Sequence, residues 1–268
     1  MAFLALLRRS LSESAKMGFA LLALLASFQV ALVLQAASYG DVQFARMAEM
    51  MPSFLQRSLG DMVSAVASFK GMVLAGYYHP VVLIVTSLVA IFLATEPARE
   101  VEQGLVDLLL ARPIPRHWLI TRSLLVALLG VGSAAAVMGV FVGLSLHAFA
   151  PRDVAWPAAR TVVDLGLHLA AVAACFAAIG LMAAAGARRR SAAFTAVGAL
   201  AVLLYLVDFV AHSWPPLRPL AWLSPFHYYP AIPILVGAAD PWRNLAVLSS
   251  ATAVFVAAAY WRFSRRDV

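Results

Sequence analysis

The sequence predicts an all-α integral membrane protein, a single transmembrane domain of six spanning helices. Three observations carry that prediction. Of 268 residues, 63% are hydrophobic and only 12% charged, with a mean hydropathy of +0.87. A soluble domain of this size carries about 25% charged residues, so this chain lacks the material for a water-facing surface. Six apolar stretches reach the ~20 residues that a bilayer crossing needs. All six tryptophans, at 118, 156, 214, 222, 242 and 261, fall at the ends of those stretches or in the loops beside them. That is where amphipathic rings settle at headgroup depth. The composition excludes a soluble enzyme and a disordered tail. The single cysteine, Cys175, excludes an intrachain disulfide and a disulfide scaffold.

The elements follow in order. Residues 1–16 place Phe3, Leu6, Leu7 and Leu11 on one helical face, with Arg8, Arg9, Glu13 and Lys16 largely off it, and predict an interfacial helix. The first span covers about 17–37. Its apolar run exceeds the 7–15 residues of a signal peptide and no small-residue cleavage site follows, so it reads as a retained helix. The outer segment after it repeats Phe44, Met47, Met51, Leu55 and Leu59 at helical spacing, with Pro52 as a break. Its methionines read as packing residues. The second span, 72–95, holds His79-Pro80, which marks a kink or turn. Spans three to five cover 119–146, 162–187 and 192–211. Span three carries the close-packing spacing Gly139-x-x-x-Gly143. The proline- and aromatic-rich stretch 212–243 predicts a structured outer loop. The last span covers 244–261.

Orientation follows from the basic residues. With the N-terminus inside, the inner segments hold twelve of the 20 Lys and Arg, against seven in the longer outer segments. The excess predicts cytoplasmic termini and assigns the net charge of +7 to the inner loops, not to a nucleic-acid partner. Arg188-Arg189-Arg190, between spans four and five, is the strongest anchor.

The most informative loop follows span two. Thr95 is placed to cap a helix, with Glu96 and Pro97 in its first turn and Pro113 and Pro115 to stop it. A short amphipathic helix over 98–111 is expected, with Val101, Leu105, Leu108 and Leu109 on one stripe and Glu100, Glu102 and Asp107 off it. An acidic face does not suit an anionic inner leaflet, so a protein partner is the expected ligand.

These residues carry a family resemblance. The run Glu100-x-x-x-Gly104-x-x-Asp107-Leu108-Leu109-Leu110-Ala111-Arg112-Pro113-x-x-Arg116 resembles the coupling region of type-2 (ABC-2) permease subunits of ATP-binding-cassette exporters. Leu223-Ser224-Pro225-Phe226-x-Tyr228-Tyr229 before the last span and the basic turn Gly186-x-Arg188-Arg189-Arg190 are similar to further elements of that family. One position departs: Leu105 stands where the family often has threonine. The resemblance implies a permease in a bacterial cytoplasmic (inner) membrane, paired with a second copy or close paralogue and with two copies of a separate P-loop ATPase. ATP and Mg²⁺ would be bound there, since this chain has no G-x-x-x-x-G-K-[ST] and is not expected to be an enzyme by itself. Glu100, Glu102, Gly104, Leu105, Asp107, Leu108, Leu109, Arg112 and Arg116 would form the ATPase-coupling segment.

Ionisable residues inside spans are candidates for function. Asp164 and His168 in span four, and Asp208 in span five with His212 just beyond it, repeat an Asp-to-His spacing of four. They support an alternative, an ATP-independent carrier or channel. The plainer reading is local ion pairing near a wet interface. No cysteine or histidine-glutamate motif provides a metal site or a nucleophile.

Overall fold

The structure is a computed structural model that describes residues 2–53, 56, 62–105 and 115–265. Among the described residues the chain runs through α1 (Ala2–Ser38), α2 (Asp41–Met50), α3 (Val63–Val66), α4 (Phe69–Tyr78), α5 (Pro80–Ala94), α6 (Glu96–Glu102), α7 (His117–Phe149), α8 (Ala159–Gly186), α9 (Arg190–Ala211), α10 (Arg218–Ala221), α11 (Ala231–Leu235) and α12 (Pro241–Ser264). Two short 3₁₀ turns, Pro215–Leu217 and Pro225–Tyr228, lie in the last loop. No strand occurs among the described residues.

Six units are long and apolar enough to cross a membrane: α1, α4 with α5, α7, α8, α9 and α12. They match the six expected spans to within a few residues at most ends. The expected interfacial helix over 1–16 is not a separate element. It continues without a break into the first span as α1, 37 residues long. Nothing in MAFLALLRRSLSESAK breaks helical geometry, and at 1.5 Å per residue α1 extends to roughly 55 Å, well beyond a ~30 Å hydrocarbon core.

α8 is the centre of the bundle. Two thirds of its apolar window is buried, against 11% for α12 and 22% for α1 and α9. It packs against α5, α7, α9 and α12, while α1 packs along α7 and α4. Small residues let α8 approach closely. A Cβ at Gly180 would stand 3.2 Å from Ile91 Cγ2 and 3.4 Å from Ile91 Cα. In lipid, where apolar surface gains little by leaving the solvent, such close packing is a main source of helix association.

The second span breaks where expected. His79 leaves helical geometry (φ −65°, ψ 127°) and Pro80 opens α5. The Val81 N–H, which in an unbroken helix would serve the Tyr77 carbonyl, instead donates to His79 Nδ1 at 3.3 Å. The freed Tyr77 carbonyl accepts from the Tyr229 hydroxyl at 3.1 Å. The last loop is thereby fastened into the bundle. Phe226 beside it packs against Phe176 and Tyr205, with ring centroids 5.0 and 5.3 Å away.

Candidate functional site

Chain ends and loops gather at two ends of the bundle. The proximal end holds the start of α1, α6, the start of α7, the α8–α9 turn and the end of α12. The distal end holds the described parts of the other outer loops.

At the proximal end α6 is surrounded by ionic contacts. Its first turn begins at Thr95, in the cap position, but the Thr95 hydroxyl donates back to the Phe92 carbonyl at 2.9 Å and caps nothing. α6 ends at Glu102, and Gly104 turns the chain with φ +66°. The Gly104 N–H donates to the Val101 carbonyl at 3.1 Å, closing the helix with a left-handed glycine. The expected helix over 98–111 is interrupted in its described part: α6 ends at 102, residues 103 and 104 form a turn because glycine takes a positive φ at little steric cost, helical geometry resumes at Leu105, and residues 106–111 lie outside the described residues. Leu105 follows, half-buried. Asp107, Leu108, Leu109 and Arg112 lie outside the described residues. Arg116 is exposed at the start of α7.

Every charged side chain of Glu96-Pro-Ala-Arg-Glu-Val-Glu102 is engaged within the protein. Glu100 and Arg122 of α7 form a bidentate pair, Nη1 to Oε1 at 2.9 Å and Nη2 to Oε2 at 2.8 Å. Both are buried, at 4% and 1% exposure. Arg99 donates to Glu13 of α1 and pairs with Glu96 at 2.8 Å, and Arg9 pairs with Glu13 at 2.8 Å. Arg190, at the start of α9, reaches Glu96 at 3.3 Å and donates to the Phe92 carbonyl at 2.7 Å. Its guanidinium also lies 3.7 Å over the Phe92 ring. Its backbone N–H, one of the unsatisfied donors at the head of α9, is accepted by Glu102 at 3.0 Å.

This corrects the expectation that Glu100 faces a partner. It turns inward because Arg122, a lone cation early in an apolar helix, needs a counter-charge. An unpaired buried ion is far costlier than a paired one. That lone arginine was the signal in the sequence. Glu102 is exposed, as expected, though one oxygen serves α9.

The distal end is built differently. His168 is fully buried, yet its Nδ1 contacts the Asp164 backbone carbonyl at 2.8 Å, not the carboxylate. Its ring stacks on Tyr229, with centroids 5.9 Å apart and planes 12° apart. The Asp164 carboxylate faces the exposed Arg160 at 3.7 Å. His212 repeats the pattern, with Nδ1 2.7 Å from the Asp208 carbonyl. The Asp208 carboxylate meets His227 of the last loop at 3.4 Å, long for a hydrogen bond. No three His, Cys, Asp or Glu side chains among the described residues converge as metal ligands. A groove of about 560 Å³ opens on the outside of the bundle between α7, α8 and α12, lined by apolar residues such as Leu128, Leu167, Trp242 and Leu245.

The chain matches none of the curated proteins it was compared with. The family model described as "ABC-2 family transporter protein" does match, over residues 18–268, which include the later part of α1, the other five spans and the α6 region. The protein therefore belongs to the ABC-2 family and is a multi-pass membrane permease of the ABC-transporter class.

Proposed function

We propose that this permease exports its substrate using hydrolysis by a separate ATPase, with the proximal end in the cytoplasm. Two permeases and two ATPases form the working unit. Each ATPase binds ATP and Mg²⁺, and it docks on the segment that follows α6, from Glu102 through Arg116. The observation that carries this reading is the ionic collar around α6. A seven-residue helix joined by charge to α1, α7 and α9 suits an element through which an outside force enters a bundle. The basic residues support the orientation, since Arg8, Arg9, Lys16 and Arg188 to Arg190 lie at the proximal end.

The distal residues do not favour the carrier alternative. Both imidazoles contact carbonyls of their own helices instead of carboxylates, so neither Asp-His pair forms the side-chain relay that a proton path requires.

Co-purification tests the proposal. The wild-type chain is expected to bring down a P-loop ATPase and to alter its hydrolysis rate. Leu109→Asp is expected to release that ATPase while leaving membrane insertion intact, because it puts a charge into a helix-binding groove. A chain that purifies alone and transports without nucleotide would refute the reading.

A further inference from the structure

We infer that Arg122 is a positioning residue: its buried pair with Glu100 joins α6 to α7, so that α5, α6 and α7 move as one body when the ATPase pushes. The inference rests on the permease reading and says where the force goes. α6 is covalently continuous with α5 through Thr95 alone, and the Thr95 N–H is still bonded to the Ile91 carbonyl at 3.0 Å. Movement of α6 therefore reaches α5 directly. It reaches α7 by chain only through residues 103–116. The Glu100–Arg122 pair bridges that distance across space.

The other side-chain ion pairs of α6 with α1 and α9 are of a different grade. The side chains of the Arg99–Glu13 pair are 30% and 35% exposed, and those of Arg190–Glu96 are 13% and 14% exposed. Water can replace a partner at such sites, and the links to α1 and α9 can yield. At 1% and 6% side-chain exposure, the Arg122–Glu100 pair has no such replacement. Separating it leaves two ions in a dry interior, and the two parallel N–H···O bonds also set the angle between the helices. An apolar contact at this place would lack those two directed bonds and would let α6 slide along α7.

The experiment uses the full chain assembled with its ATPase in lipid nanodiscs, in a Cys175→Ala background. Spin labels at positions 103 and 149, both exposed, report along α7 over roughly 50 Å. Labels at 103 and 242 report α6 against α12. The states compared are nucleotide-free and trapped with ATP, Mg²⁺ and vanadate. The 103–149 distance is expected to stay fixed while the 103–242 distance shifts. Glu100→Leu with Arg122→Met, which keeps volume without charge, is expected to assemble and hydrolyse ATP. In it the 103–149 distance should now move and the 103–242 shift should shrink. A structural role alone would leave that partition unchanged. The inference is overturned if the wild-type 103–149 distance changes as much as the 103–242 distance, if neither changes, or if the apolar variant behaves as wild type. The wild-type distances decide the matter even where the variant fails to fold. Absence of a co-purifying ATPase would instead strike the permease reading, before any distance is measured.

Discussion

Both ends of the bundle set acids beside basic side chains, and they reach opposite arrangements. At the proximal end, acids and arginines from different helices meet side chain to side chain, as in Glu100–Arg122, Glu13–Arg99 and Glu96–Arg190. At the distal end, acids and histidines four apart on one helix stand together and scarcely engage. His168 and His212 each bond to the carbonyl of the aspartate four residues before, leaving its carboxylate to other partners. Spacing along a helix brings side chains near each other; it does not make them partners. A charge is committed when burial removes water as the competing ligand. By that criterion the Glu100–Arg122 pair is committed, whereas the Arg160–Asp164 pair is a local fitting.

The comparison breaks most sharply at Arg122. Glu100→Ala removes one partner and leaves a buried guanidinium uncompensated, at a cost of about 3–5 kcal/mol. We expect a large fall in folded yield and in the thermal unfolding midpoint, measured in detergent. Arg122→Ala is expected to do nearly the same, and the two losses are expected not to add, since each removes the same pair. A double-mutant cycle with no coupling would place the two ends on an equal footing.

Much of this was legible in the sequence, and the reasons are physical. Span number and approximate ends follow from the need of a hydrocarbon core for ~20 apolar residues, and the break at His79–Pro80 follows from the missing proline N–H. The pair Glu100–Arg122 was not legible, because their separation of 22 positions crosses a loop. Periodicity placed Glu100 off an apolar stripe, which on a helix at a water interface means outward. It did not register that α6 is covered by protein. The role of Gly104 was half legible. The glycine was visible in the family-like run, but its positive φ depends on where α6 stops. His227 as the neighbour of Asp208 was not legible either, since it comes from a 3₁₀ turn beyond the end of α9.

A smaller effect sharpens the boundary of the collar. Gly104→Ala forces a side chain onto φ +66°, at about 1–2 kcal/mol, although a Cβ there meets no atom within 4 Å. The expected outcome is a modest loss of stability together with weaker ATPase recruitment, because the direction of the chain after α6 changes. Unchanged recruitment would detach the surface after Gly104 from the docking role.

Tyr229→Phe probes the one distal contact described above that does cross between elements through a hydroxyl. It deletes the hydroxyl on the Tyr77 carbonyl and leaves the ring stacked on His168. Interhelical hydrogen bonds in membranes average about 0.6 kcal/mol and rarely exceed about 1.7, so a small drop in the unfolding midpoint is expected. Hydrogen exchange should rise at the α4–α5 break, where that carbonyl would lose its partner.

The smallest effect is expected at Asp164. Its carboxylate stands 3.7 Å from Arg160, whose side chain is 79% exposed, so water already competes for both groups. A same-helix pair of this kind contributes only a few tenths of a kcal/mol. His168 contacts the backbone carbonyl of residue 164, which survives any change of side chain there. Asp164→Asn should therefore leave stability, ATPase recruitment and nucleotide-driven distance changes within error of the wild type. The measurement that matters is transport against pH for Asp164→Asn beside the wild type. Superimposable profiles keep the distal acids as local fittings. A flattened profile would mean that the carboxylate titrates during the cycle and would return the Asp-His pair to the transport path, reversing the contrast between the two ends.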